Sequence, residues 1–176
     1  ISNPLDQLVR AVHLTVPELK VIGLCHGYFD IVETFRRYFG LRNWQTELSA
    51  NVVGLNHLAW VTRLSFRGRD GLAMLREVYE NPEMELVGCG DDGRPYRGKD
   101  VLKSNWVKFA LLEAYGAYTY LGDRHTVEFF PHFLSEKTEW GKAFGVDLTS
   151  IADRYKEFDE HNDQRERWLA AGDVDM

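Results

Sequence analysis

The sequence is poor in the features that mark several classes of protein. Two cysteines in 176 residues cannot build a disulfide framework, and a Cys25–Cys89 bridge is not expected in a reducing compartment. The longest apolar runs, such as residues 21–24, fall far short of the roughly 20 residues that cross a bilayer. Lys and Arg number 21 against 27 Asp and Glu, and no basic stripe is present. We therefore expect a cytoplasmic protein that binds small polar or neutral molecules, with no nucleic-acid or membrane partner.

The composition indicates an ordered core. Apolar residues make up 44% of the chain and aromatic residues 13%, which excludes intrinsic disorder. The length suits one domain, so residues 1–176 are predicted to form a single domain of the α/β or α+β class, with a mixed sheet and several helices. The chain begins at Ile1 rather than at a methionine, and we expect it to be truncated at both ends.

Hydrophobic periodicity and turn residues predict the order of the elements. Helices are predicted over residues 4–17, 28–40, 70–81, 104–115 and 149–169. Strands are predicted over residues 20–25 and between 52 and 66, where one bent strand or two strands fit the alternation. Residues 83–99 are rich in glycine and polar side chains, which predicts a loop. Cys25 and His26 then lie between a strand and a helix, a position where open α/β sheets carry ligands.

One glycine pattern is misleading. Residues 88–93 match G-x-G-x-x-G letter for letter. A dinucleotide site needs a strand before this pattern, a helix after it and no anions facing the pyrophosphate, whereas Asp91 and Asp92 lie inside it. The sequence thus predicts no dinucleotide fold within this chain, and the residues that bind a cofactor stay unassigned.

Several side chains could carry chemistry. Cys25 and His57 offer a thiol and an imidazole, which suit a divalent transition metal, but without C-x-x-C or similar spacing a buried thiol and a core histidine explain them equally simply. Asp123, His125 and Glu128 could be acid/base groups or metal ligands, or could form a capped turn. On the residues alone, the structural interpretations are favoured. Tyr115 and its neighbouring tyrosines predict nothing by themselves, because a tyrosine becomes a useful base only when a cation lowers its pKa.

Taken together, four motifs in order resemble one family, the NAD- and manganese-dependent glycosidases of glycoside hydrolase family 4. They are SNP at residues 2–4, VIGLCHG at 21–27, VGLNH at 53–57 with Trp60, and GDRHTVEFFP at 122–131. The similarity runs over nearly the whole chain. It implies the substrate- and metal-binding C-terminal domain of a lactate/malate-dehydrogenase-like fold, without the N-terminal Rossmann domain. That domain and further copies of the protein in a homo-oligomer are the partners that the resemblance implies.

The resemblance also implies roles for individual residues. Cys25 and His57 become the Mn²⁺ ligands, and the substrate-binding residues become Asn3, His26, Asn56 and His125. Tyr115 is the first candidate for the catalytic base and Asp123 the alternative. This chain has Cys-His at residues 25 and 26. Family members with Cys-His at the corresponding positions resemble enzymes that act on non-phosphorylated sugars, namely α-galactosidases, α-glucosidases and α-glycuronidases.

The chemistry implied is hydrolysis of an O-glycosidic bond without a carboxylate pair. NAD oxidises the sugar at C3, a base removes the acidified C2 proton, the aglycone is eliminated, and water addition and hydride return complete the cycle. Two alternatives stay open. A dehydrogenase of the lactate/malate type would need a His-Asp pair, and a non-catalytic oligomerisation or binding fragment would need only its aromatic, amphipathic segments.

Overall fold

The computed structural model describes residues 5–55, 57–103, 105–148 and 150–171. Two predicted substrate-binding residues, Asn3 and Asn56, lie outside the described residues. The chain divides into two compact units, Ile1–Val146 and Asp147–Met176. Within the part that is described, no helix is both long enough and apolar enough to cross a membrane.

The first unit is an α+β structure, which confirms the predicted class. Its helices are α1 (Leu5–Thr15), α2 (Tyr28–Phe39), α3 (Trp44–Glu47), α4 (Gly71–Glu80), α5 (Gly98–Lys103), α6 (Trp106–Tyr115) and α7 (Asp123–Thr126). Its strands are β1 (Leu48–Leu55), β2 (Leu58–Phe66), β3 (Arg69–Asp70), β4 (Glu85–Cys89), β5 (Pro95–Arg97) and β6 (Tyr118–Thr119). Short 3₁₀ segments follow over Val127–Phe129, Pro131–Leu134 and Glu136–Phe144.

The larger sheet is built on the β1–β2 hairpin. β2 pairs with β1 along its whole length, with β6 at Trp60 and Val61, and with β3 at its other end. Each strand pair between described residues is antiparallel, so the predicted mixed sheet is an antiparallel one there. Of the two interpretations left open for residues 52–66, two strands is confirmed.

The core lies between this sheet and helices α2, α4 and α6. Phe35, Val61, Leu75 and Phe109, one residue from each element, are fully buried. Their burial follows from the helical and alternating spacing of apolar residues, because each element directs one apolar face to the same interior. α2 ends at Gly40, whose φ of 70° is the left-handed conformation that favours glycine at a helix C-terminus.

Two sequence predictions are wrong. Residues 20–25 form no strand: the segment has no regular secondary structure and pairs with no described strand. Residues 83–99, predicted as a loop, contain the β4–β5 hairpin and the start of α5. The glycine-rich run at 88–93 is the turn of that hairpin, which agrees with its exclusion as a dinucleotide site. Local residue types are ambiguous here, because short strands are stabilised by pairing rather than by propensity.

The second unit contains α8 (Ile151–Ala171), the charged helix predicted near the end of the chain. Its apolar residues Ile151, Tyr155, Phe158 and Leu169 are each more than half exposed. Burial of an apolar face therefore does not explain this helix in isolation. Neighbouring charges of opposite sign, such as Arg154 and Glu157 at 3.1 Å, support it locally.

Candidate active site

Three separate segments of the first unit meet at one end of the β1–β2 hairpin. The first is the turn that carries Cys25 and His26 into α2. A Cβ atom at Gly27 would lie 2.6 Å from both Cε2 of Tyr120 and Cδ2 of Leu121. Only glycine permits this approach, so the turn lies directly against the residues that follow β6.

The hairpin tip places His57. Leu55 pairs with Leu58, so His57 lies in the turn of the β1–β2 hairpin. His57 has a φ of 65°, a left-handed conformation that such turns require and that histidine adopts more readily than most residues. Gly54 precedes the turn with a φ of 130°, and a Cβ there would lie 2.4 Å from the carbonyl oxygen of Leu58. The tight turn thus holds His57 at the end of the sheet.

Tyr120 connects these two segments. Its hydroxyl donates a hydrogen bond to Sγ of Cys25 at 3.7 Å and accepts one from the backbone N–H of His57 at 3.2 Å. Partial burial raises the pKa of Tyr120, and the neighbouring Cys25 thiol raises it further, while the His57 N–H acts in the opposite direction. The structure therefore brings Cys25 and His57 together through one phenol.

His125 completes the group from the third segment. Its ring lies 5.1 Å from the ring of His57, edge to face at 81°. Burial lowers the pKa of His125 and His57 lowers it further, Glu128 acts in the opposite direction, and Arg124 and His26 lower it to a smaller extent. The predicted substrate-binding residues His26 and His125 thus lie in the same electrostatic environment as His57.

Asp123 has a different environment. It is 7% exposed, and its oxygens accept hydrogen bonds from the backbone N–H groups of Val107 at 2.8 Å and Lys108 at 3.0 Å. These are donors of the first turn of α6, so the carboxylate caps that helix. Burial raises the pKa of Asp123 to about 6, more than the two hydrogen bonds lower it. Capping, rather than a His-Asp pair with His125, accounts for its position.

Tyr115 lies at the other end of α6. It is 64% exposed, and its ring packs edge to face on Trp60 at 5.6 Å and beside Phe130 at 6.4 Å. The geometry gives this tyrosine an aromatic environment. Tyr120, which the sequence did not single out, is the tyrosine that contacts the predicted metal ligand.

Tyr120 could not be identified from local signals. It is 95 residues from Cys25 in the sequence and directly follows β6. Tyr118 and Tyr120 are both buried, but the hydroxyl of Tyr120 reaches the backbone of His57 in the hairpin turn. The pairing of β6 with β2 is what brings Tyr120 close to Cys25 and His57.

The donors at this site suit a transition metal with open coordination positions. Cys25 and His57 supply a thiol and an imidazole, which bind divalent first-row metals. Among the described residues, no group of three or more His, Cys, Asp or Glu side chains is placed to hold an ion. A metal held by the Cys25 and His57 side chains would keep positions for substrate oxygens, as catalytic sites require and closed structural sites do not.

Comparisons with known proteins show relatives of this chain. The chain is 31% identical to an alpha-galacturonidase of Bacillus subtilis over 96% of its own length and 38% of that protein, and 28% identical to an alpha-galacturonidase of Thermoanaerobacter italicus over 90% and 36%. It is 25% identical to an alpha-galactosidase of Bacillus subtilis over 76% of this chain and 26% of that protein. The chain thus spans under two fifths of the length of these relatives.

Structural comparison gives a similar result. A crystal structure described as that of a glucosidase from Bacillus subtilis superposes with a TM-score of 0.65 at 29% identity, over 97% of this chain and 39% of that one. Residues 52–171 match the family 4 glycosyl hydrolase C-terminal domain. The chain therefore belongs to glycosyl hydrolase family 4, as its C-terminal domain.

Proposed function

We propose that this chain is the metal- and substrate-binding domain of an NAD- and manganese-dependent α-glycosidase that hydrolyses non-phosphorylated α-galacturonides or α-galactosides. The observation that carries the proposal is the Tyr120 hydroxyl, which contacts both the Cys25 thiol and the backbone of His57. These are the two residues that family resemblance assigns to Mn²⁺. The family match and the relatives named as glycosidases support the hydrolytic reaction.

The proposal gives each side chain of the site a role in binding metal or substrate. The Cys25 thiolate and the His57 imidazole would hold manganese, and His26 and His125 would bind sugar hydroxyls beside it. When bound, Mn²⁺ would polarise a sugar ketone, while NAD from a dinucleotide-binding domain would take up and return the hydride. The half-buried position of Cys25 against Tyr120 limits the access of water to the thiol.

The group that moves the C2 proton has three candidates. Tyr120 has the strongest geometric support, because its hydroxyl lies 3.7 Å from Cys25 Sγ. Its raised pKa keeps it protonated in the chain alone, and a nearby cation would favour the phenolate. Tyr115 and Asp123 stay predictions. The first packs on Trp60, and both oxygens of the second already accept hydrogen bonds from α6.

The charge of the site favours a uronide over a neutral galactoside. Burial lowers the pKa of His125, and the neighbouring His57, Arg124 and His26 lower it further, while Glu128 acts in the opposite direction. A carboxylate on the sugar would offset this mutual repulsion and pair with a protonated imidazole. We therefore propose an α-galacturonide as the preferred substrate, in agreement with the names of the first two relatives.

A matched pair of cysteine variants tests the metal role in the full-length enzyme that contains this chain. Cys25→Ser is expected to lower kcat/KM for an α-galacturonide by more than roughly 100-fold, because the thiolate ligand is lost. Cys89→Ser changes an exposed thiol on β4 and is expected to leave activity unchanged. A chelator should abolish activity, added Mn²⁺ should restore it, and omission of NAD should prevent turnover. Full turnover without metal and NAD would contradict the proposal.

The substrate preference needs a separate comparison. The ratio of kcat/KM for an aryl α-galacturonide to that for the matching α-galactoside is expected to exceed roughly tenfold, which corresponds to about 1.4 kcal/mol. The His125→Gln variant should reduce this ratio, because glutamine keeps hydrogen bonding but cannot carry positive charge. A higher kcat/KM for the galactoside would leave glycoside hydrolysis intact and overturn the uronide preference.

A further inference from the structure

Asp30 is a charged residue near the candidate site to which the mechanism above gives no role. It lies in the first turn of α2, where the N–H groups of Phe29 and Asp30 donate to the carbonyl oxygens of His26 and Gly27 at 2.8 and 3.1 Å. Asp30 is thus one helical turn beyond His26. Its side chain is 40% exposed, although its ionic partner is fully buried.

That partner is Lys108 of α6. The ammonium group of Lys108 donates a hydrogen bond to Oδ2 of Asp30 and lies 4.6 Å from the centre of the Tyr118 ring. A buried ammonium without a counter-ion is strongly unfavourable, so this contact holds the Asp30 carboxylate in one orientation. Because Oδ2 is engaged from the protein interior, Oδ1 is the oxygen that remains for a second partner.

Oδ1 faces Gly122. A Cβ atom at Gly122 would lie 3.8 Å from Oδ1 of Asp30, an ordinary van der Waals distance, and among the described residues other than its chain neighbours it would meet no further heavy atom within 4 Å. The φ and ψ of Gly122, −61° and 160°, suit any residue. Neither strain nor packing requires glycine here, in contrast to Gly27. The missing side chain leaves open space in front of Oδ1.

This space adjoins the candidate site. The backbone N–H of His125 donates to the carbonyl oxygen of Gly122 at 3.0 Å. His26 lies one turn before Asp30 and influences the pKa of His125. Asp30 and Gly122 are therefore each about one helical turn from a residue that is predicted to bind substrate.

We infer that Oδ1 of Asp30 accepts a hydrogen bond from a hydroxyl of the sugar substrate, in the space that Gly122 leaves open, with Lys108 as the positioning residue. This inference rests on the proposed function. Carboxylates are strong acceptors for hydroxyl groups, and an acceptor with fixed orientation discriminates between sugars that differ in one hydroxyl. The Lys108 charge offsets the cost of burying part of the Asp30 carboxylate.

The first test is Gly122→Ala in the full-length enzyme with Mn²⁺ and NAD. The variant is expected to fold normally, to retain the Mn²⁺ affinity of the wild type, and to raise KM for an α-galacturonide by at least about tenfold, because the methyl group fills part of the space through which the sugar approaches Oδ1. Gly90→Ala is the matched control. It has ordinary φ, lies in the β4–β5 turn, and contacts only flexible side chains.

The second test identifies the hydroxyl. Asp30→Asn alone would leave the Lys108 ammonium unpaired, so the double variant Asp30→Asn with Lys108→Met is used. Against a set of monodeoxy substrates, the wild type should lose at least about tenfold in kcat/KM for one of them. The double variant should show no further loss for that same sugar, because the acceptor is already gone.

The outcomes separate this inference from the proposed function. A wild type that hydrolyses α-galacturonides, together with an unchanged KM in Gly122→Ala, would overturn the role of Asp30 alone. Equal losses of kcat/KM in the wild type and the double variant for every deoxy sugar would also overturn the role of Asp30. Misfolding of Gly122→Ala would contradict the open space. A wild type without glycosidase activity would overturn the proposed function and the inference together.

Discussion

Helices α4 and α6 are each ten residues long and begin with the same pair of hydrogen bonds, but the carboxylate comes from different places. In α4, Asp70 immediately precedes the helix and accepts from the N–H groups of Leu72 and Ala73. In α6, the equivalent two donors bond to Asp123, which lies 15 and 16 residues further along the chain. Asp70 is exposed, whereas Asp123 is buried.

The comparison shows that the same N-cap hydrogen bonds can be local to one helix or can join that helix to a distant segment of the chain. The cap of α4 is a property of adjacent residues and serves that helix alone. The cap of α6 ties the helix to the segment that carries His125, so the same two hydrogen bonds help to position a candidate substrate-binding residue. A buried cap also has a larger effect, because its donors cannot bond to water when it is removed.

Removal of the buried cap should have the largest effect on stability. Asp123→Ala leaves two buried N–H groups of α6 without an acceptor, so we expect the free energy of unfolding to fall by roughly 4 kcal/mol, about 2 for each donor. Urea unfolding followed by circular dichroism measures this loss. A loss equal to that of the Asp70→Ala variant would break the distinction between the two caps.

The pH dependence of stability should reveal the buried cap Asp123. The folded pKa of Asp123 is about 6, above the ordinary value of 3.8, so protonation of this carboxylate favours the folded state. Its contribution to stability is fully present below about pH 4 and is lost as the pH rises through about 6, a change on the order of 3 kcal/mol.

The measurement compares unfolding from pH 4 to pH 7 in the wild type and in Asp123→Asn, which lacks the titrating group. The variant should show a flatter profile than the wild type over this window. Parallel profiles for the wild type and Asp123→Asn would show that burial does not raise this pKa.

The smallest effect is expected at the local cap. Asp70→Ala should lower the free energy of unfolding by about 1 kcal/mol, the usual contribution of an N-cap side chain, because water can reach the freed donors. Glu113→Gln, which breaks an exposed ion pair of 3.9 Å between α6 and Arg76 of α4, serves as the control and should change it by less than about 0.5 kcal/mol. A larger effect at Asp70 than at Asp123 would reverse the comparison.

Much of the fold could be predicted because its signals are local. The stop of α2 at Gly40, the start of α4 at Asp70 and its end before Pro82 follow from residue types that act on their immediate neighbours. Residues 20–25 and 83–99 were predicted wrongly, because a strand exists only when another strand pairs with it. Apolar content alone could not identify that partner.

The candidate site was predicted in part. The resemblance selected Cys25 and His57, and the structure brings them together through Tyr120. The predicted catalytic roles of Tyr115 and Asp123 stay predictions, and their observed contacts are an aromatic cluster and a helix cap. The spacing of residues in the sequence could not reveal that Asp123 caps a helix, because a capping aspartate and an acid/base aspartate look alike in sequence.

The sequence by itself determined the longer helices, the α+β class and the residue types available for chemistry, since these depend on propensity, periodicity and side chains within one or two turns. Only the tertiary structure decided which tyrosine contacts Cys25, which helix Asp123 caps, and that Lys108 of α6 holds Asp30 of α2. Such contacts join residues far apart in the chain, and they depend on how the strands pair and the helices pack.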